Sequence, residues 1–105
     1  MKQTRRMTQD TIQEVGIDEE GRLYVRPSRS SFEHIYRAAM AVNWDSPKRR
    51  LFGPKPREWS YVDWFKQIVA APADEYGTTL SLTGDTIWLN VPFALQTEIE
   101  ALFQR

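Results

Sequence analysis

No cysteine occurs in the 105 residues, and histidine occurs once. The first absence excludes disulfides, a thiol nucleophile and every thiolate-bound metal. With one imidazole beside it, a structural zinc site has no ligand set. No apolar run approaches the roughly 18 residues of a membrane-spanning helix. The opening MKQTRRMTQDTIQE has basic residues but no apolar stretch behind them, so it does not read as a secretion signal. A cytoplasmic protein is the expectation, by exclusion. Glycine is scarce and scattered, at 16, 21, 53, 77 and 84. Each stands alone at a turn or cap, which rules out a phosphate-cradling loop. The carboxylates form no cluster with metal-ligand spacing: Asp18-Glu19-Glu20 is contiguous, its side chains diverge around a turn, and a solvated loop is the reading. No cofactor and no metal are expected.

What is present is apolar surface and an uneven distribution of charge. Hydrophobic residues make up 41% and aromatic residues 12%, with four tryptophans, so the chain has a core to bury and is not disordered. Its length fits a single domain over 1–105, with residues 1–8 read as a flexible lead-in. Net charge is zero, yet residues 1–57 hold 12 Lys and Arg against 7 acids, and residues 58–105 hold 2 against 7. The sharpest feature is Lys48, Arg49, Arg50, Lys55 and Arg57, a basic run without an acid inside it.

Periodicity predicts an α+β fold: an antiparallel sheet built from hairpins, with three to four helices packed mainly on one face. TQDTIQEVGI admits two readings. It is either a short helix capped by Thr8 and stopped at Gly16, or a strand Ile12–Ile17 pairing across DEEG with Arg22–Arg26. Ile12 is out of phase with Val15 and Ile17 for period-two alternation, which favours the helix. RLYVRP is a strand with Leu23 and Val25 on one side and Tyr24 and Arg26 on the other. In SRSSFEHIYRAAM, Ser30 and Glu33 have capping-box spacing, and Phe32, Ile35, Tyr36 and Ala39 form a helical stripe, with His34 nearly opposite it. Val42–Trp44 and Arg50–Phe52 read as hairpin arms. A second capping box, Ser60 with Asp63, opens a helix toward Ala71; Pro72 breaks or kinks it, and Gly77 is a stop. TTLSLTGDTIWLN predicts a hairpin, strands Thr79–Leu82 and Thr86–Leu89 about a Thr-Gly-Asp turn. Pro92 suits the start of a last helix that buries Leu95, Ile99, Leu102 and Phe103.

Catalysis finds no assembled set. His34 falls on the outward side of its helix, no G-x-S-x-G elbow surrounds any serine, and Asp63 is a helix N3 residue rather than a partner for Glu58. The leading expectation is therefore a non-enzymatic protein-interaction module, binding itself or a partner through Arg50, Arg57 and Trp59, since Trp and Arg dominate interface hot spots. The prolines of PKPREW (54–59) stiffen that segment and lower the ordering cost of binding. A nucleic-acid-binding accessory protein is the alternative, with Lys48, Arg49, Arg50, Lys55 and Arg57 on phosphates. Against it stand the pI of about 6.6 and the core spacing of the aromatics that follow. A third reading places a small ligand or substrate in an aromatic pocket between the sheet and the helix Ser60–Ala71. Whether Trp44, Trp59, Trp64 and Trp88 are core, pocket or interface is open.

GRLYVRP, SFEHIYRAAMAVNWD, LFGPKPREWSYVDWFKQI and EYGTTLSLTGDTIW, within residues 21–88, resemble short hypothetical proteins encoded by integron gene cassettes of the bacterial mobile metagenome. The resemblance implies an α+β fold and a bacterial cytosolic setting, and it transfers no activity and no site residue.

Overall fold

In a computed structural model, which describes residues 8–32, 35, 42–53 and 60–103, TQDTIQEVGI is a strand, β1 (Thr8–Ile17). The helix reading is overturned, and the reason lies at Gln13. Against β2 (Leu23–Pro27), Ile12 sits opposite Pro27 and Glu14 opposite Arg26, leaving Gln13 as an extra residue. A bulge of this kind shifts the side-chain phase by one. Ile12 and Val15, three apart in sequence, therefore both enter the core, at 1% and 0% exposure. The phase break that suggested a helix is the bulge itself.

β3 (Asn43–Asp45) and β4 (Arg50–Phe52) pair antiparallel, as expected, and β4 pairs with β2. α1 (Tyr61–Tyr76) then crosses the sheet, packing on β2 and on β5 (Thr78–Ser81). Its capping box is present: the Asp63 amide donates to Ser60 Oγ at 3.3 Å and the Ser60 amide donates to Asp63 Oδ2 at 3.4 Å. Pro72 is accommodated inside the helix, and Gly77, at φ 69°, ends it by donating to the Ala73 carbonyl. That left-handed conformation suits glycine. The Gly77 carbonyl accepts from the Thr8 amide at 2.9 Å, so the helix stop also fixes where β1 begins.

Residues 78–89 form no hairpin. β5 and β6 (Ile87–Leu89) both run parallel to β1 along the same edge, β5 against residues 8–11 and β6 against residues 14–16. The sheet is thus mixed, in the order β3-β4-β2-β1-β5 with β6 also on β1, and not the antiparallel sheet expected. The Thr-Gly-Asp turn chemistry is used instead for an excursion within one interrupted strand. Thr83 and Thr86 close it, the Thr86 amide donating to the Thr83 carbonyl and the Thr83 amide to Thr86 Oγ1. Thr86 Oγ1 then donates to the Ile12 carbonyl at 2.7 Å in a buried position. The excursion leaves that carbonyl beside the bulge, and a hydroxyl satisfies it. Thr86→Val removes the donor at nearly constant volume; urea unfolding is expected to show a loss of about 1–2 kcal/mol, the usual cost of an orphaned buried acceptor.

α2 (Phe93–Ala101) follows Pro92 and packs on α1 through Leu95 and Ile99. Leu102 and Phe103, assigned to its buried stripe, remain 41% and 37% exposed. Two helices are present among the described residues, where three to four were expected; of the helix read in SRSSFEHIYRAAM, residues 33, 34 and 36–40 lie outside them, while Ser30 to Phe32 are not helical and Phe32 and Ile35 are buried. Among the described residues no helix is long and apolar enough to cross a membrane. Val15, Val25, Leu51, Phe65, Ile68 and Ala71 join in one core beneath α1. The opposite face of the sheet has neither helix on it.

Candidate functional site: the open face of the sheet

Partners across neighbouring strands share a face, so the register fixes what the open face displays. Phe52, Tyr24, Gly16 and Leu89 form one row across four strands; Arg26, Glu14 and Ile87 belong to the next, with Arg50 at its β4 end. Tyr24 was expected to point away from the core, and it does, yet it is only 1% exposed. Its burial has two causes. Gly16 has no side chain, so the Tyr24 ring lies flat across it; a Cβ there would collide with the ring. From above, the Arg50 guanidinium stacks on the same ring, 3.7 Å from its centroid. A flat cation over an aromatic face is favourable where water is partly excluded.

The Tyr24 hydroxyl donates to Glu14 Oε2, and Arg26 approaches the other Glu14 oxygen at 3.9 Å. Burial, and then the Glu14 carboxylate, push the Tyr24 phenol up to about 12. Because this folded-state value lies above the unfolded value of about 10, the stabilisation is complete below pH 10 and disappears as pH rises toward 12. A difference titration at the phenolate absorbance, wild type minus Tyr24→Phe, is expected to show one phenol ionising near pH 12. Ionisation at the ordinary value would show that the ring is not held this way.

Beside Tyr24 the face dips into a recess of about 310 Å³. One bank is the β1–β2 turn. There Asp18 accepts from the Glu20 and Arg22 amides, each at 2.9 Å, and from Arg22 Nε at 2.8 Å. Burial raises the Asp18 pKa, but these bonds outweigh it and hold the carboxyl below its ordinary value. Arg22 is thereby aimed, and it lies over the Phe52 ring at 4.6 Å. The other bank carries Lys48 and Arg50; Ile17, Leu89 and Asn90 complete the lining. Asn90 adopts a positive φ of 60°.

Of the residues picked out by sequence, Lys48, Arg49 and Arg50 fall within the described residues, whereas Lys55, Arg57, Trp59 and His34 lie outside them. Arg50 is drawn onto Tyr24, and Lys48 lines the same recess. Arg49 turns aside, its Nη2 reaching the Arg29 carbonyl at 3.5 Å. Trp44, Trp64 and Trp88 are partly buried against the core. The space expected to hold an aromatic pocket, between the sheet and α1, is filled by Phe65 and Ile68; an apolar groove of about 430 Å³ runs instead along the flank of α1, lined by Phe65, Val69, Leu80, Leu102 and Phe103 among others. Tyr24, Glu14 and Gly16 were not singled out from sequence. The available signal was Gly16, since a lone glycine inside a strand marks a close approach.

The chain matches the family of integron cassette protein Hfx_Cass5 over residues 10–86. It belongs to that family. A solved structure from the mobile metagenome of North West Arm Sewage Outfall, integron cassette protein Hfx_Cass5, is 45% identical, covering 91% of this chain and 96% of its own, with a TM-score of 0.47. No curated protein matches the chain significantly. The resemblance read over residues 21–88 is thus borne out, and membership of the family brings no activity with it.

Proposed function

We propose that the protein is a non-enzymatic interaction module whose contact surface is the open sheet face around Arg50, and that its partner is another polypeptide. One observation carries this reading. Arg50 is pre-organised by stacking on Tyr24, and no carboxylate or carbonyl accepts from its guanidinium among the described residues. Beside it on the same face, Ile87 and Leu89 stand 51% and 48% exposed. An immobilised arginine with free donors next to apolar area is the composition of interface hot spots. Arg57 and Trp59 remain further candidates for the same contact. The test is an array of immobilised peptides with free C-termini, probed with wild type, Arg50→Ala, Leu89→Asp and, as a control on α1, Gln67→Ala. A set of peptides bound by wild type and the control but by neither face variant is expected. Equal binding by all four proteins, or none by any, sinks the proposal. A second copy of the chain is a possible polypeptide partner, and sedimentation of the same proteins reads that out.

A second reading has its own observation. Lys48 and Arg49 stand exposed side by side at the β3–β4 turn, which would suit phosphates, with Lys55 and Arg57 adding to them. The acidic turn Asp18–Glu20 borders the recess that Lys48 and Arg50 line, and phosphate backbones avoid such company. Anisotropy of labelled single- and double-stranded DNA decides it: binding that weakens steeply with salt supports this reading, and no binding at low salt removes it.

A further inference from the structure

We infer that the recess beside Tyr24 captures the C-terminal carboxylate of a polypeptide whose last residue is apolar and whose preceding residues are basic. The inference rests on the reading of this face as polypeptide-binding and names the group bound.

Some charges in the recess are already satisfied. Asp18 and Arg22 are paired to each other, and Glu20 sits 3.7 Å from Arg22. Lys48, Arg50 and Glu19 line the recess without an ionic partner among the described residues. The two open cations are on the β3–β4 side and the open anion is on the β1–β2 turn. Arg50 cannot swing freely, because its plane is held against Tyr24. A fixed guanidinium presents parallel donors that match a carboxylate, and the Lys48 ammonium adds charge without geometric demand. The lining is nevertheless balanced overall, Asp18, Glu19 and Glu20 against Arg22, Lys48 and Arg50. That balance disfavours a dianion such as a phosphate monoester and favours one carboxylate followed by positive charge.

Size and wall chemistry narrow the ligand further. At roughly 30 Å³ per water-sized atom, the recess of about 310 Å³ holds about one terminal leucine with its carboxylate. Leu89 offers that side chain an apolar wall, and Ile17 and Asn90 also line the recess. The β1–β2 turn forms one bank of the recess, and the chain leading to the terminus can leave over it. It would pass Glu19 and Glu20, both exposed at the rim, which is where basic residues would be paired. Capture of a terminal carboxylate is an established mode of peptide recognition because every chain carries only one such group.

The test uses a fluorescein-labelled peptide, Gly-Gly-Lys-Lys-Gly-Leu, as the free acid, as the C-terminal amide, and with both lysines replaced by glutamate. Anisotropy is read with wild type, Arg50→Ala and Lys48→Ala. Lys48 is exposed, so its variant keeps the proposal testable if loss of the Arg50 stack unfolds the protein, which thermal melting would reveal. Binding of the free acid is expected, with amidation and Arg50→Ala each weakening it at least tenfold, and with smaller losses for Lys48→Ala and the glutamate peptide. Equal binding of acid and amide overturns the inference, and so does displacement by free leucine at the peptide's own concentration, since a chain would then be unnecessary. If array peptides depend on Arg50 but the free terminus makes no difference, this inference falls while the reading of the face stands. If no peptide binds, both fall.

Discussion

Asp10→Ala is expected to cost about 2–4 kcal/mol in chemical denaturation, from leaving backbone donors without their charged acceptor. The Asp10 carboxylate is 1% exposed. It accepts from the Thr11 amide at 2.8 Å, the Ser30 amide at 2.7 Å and the Arg29 amide at 3.0 Å, and Arg29 Nε adds a contact at 3.3 Å. One side chain thus fastens the segment after β2 onto β1, where no strand ladder reaches. Truncation leaves three backbone donors without an acceptor and the Arg29 guanidinium without its anion. Asp10→Asn is the milder variant, because its amide oxygen keeps part of the set. Burial alone would raise the Asp10 pKa, but the bonds from Ser30, Arg29 and Thr11 outweigh it and leave the value lowered. A lowered folded-state value means the contribution is present above the unfolded value of about 4 and is lost as pH falls through the folded one. Asp18, also lowered, acts in the same direction. Wild type is therefore expected to lose stability below about pH 4, and Asp10→Ala to lose less of what remains. If the two proteins showed parallel acid profiles, the carboxylate would not be held as described.

Gly16→Val is expected to cost about 3 kcal/mol or more, combining overpacking with the loss of a hydrogen bond to a charged acceptor. The new side chain would occupy the space of the Tyr24 ring. That ring cannot yield sideways, since Arg50 covers it and Glu14 holds its hydroxyl. Displacement breaks the Glu14 contact and removes the platform under Arg50. The substitution should therefore abolish peptide binding even at temperatures where the protein is still folded. Gly16→Ala is the graded control, with a smaller loss in both readouts. A variant with wild-type melting and a valine at position 16 would show that the ring has another resting place.

Both substitutions act on features that depend on register, and register is what the sequence conveyed least. The Ser60–Asp63 box and the Gly77 stop were legible because they are local: each requires a few neighbouring residues in a fixed order. β2 was legible for the same reason. The bulge at Gln13 was not, because alternation is a phase argument, and one inserted residue inverts the phase beyond it. The strands at 78–89 were correctly anticipated as strands and wrongly joined as a hairpin, since a Thr-Gly-Asp turn folds back only when its two flanks are each other's best partners. Here β1 competes for both and wins. At the site, Arg50 could be singled out as one cation in a basic run, but nothing in the run says that an aromatic ring lies beneath it. That ring reaches Arg50 through the β2–β4 register and stays there because Gly16, on a third strand, has no side chain.

The split partnership along β1 also sets an order of events. Thr8 and Thr78 share a hydroxyl contact at 2.8 Å across 70 residues of sequence, and the Thr86–Ile12 bond spans 74. During synthesis β1 emerges before all three of its partners, and β2 can join it almost at once. Its other edge stays bare until residues 78–89 have been made. Contacts so distant along the chain are slow to form, and an unpaired edge invites the wrong neighbour while it waits. Though made before the other described strands, β1 is therefore among the last of them to be completed, and the yield of folded protein should depend on how well nascent chains are kept apart from one another.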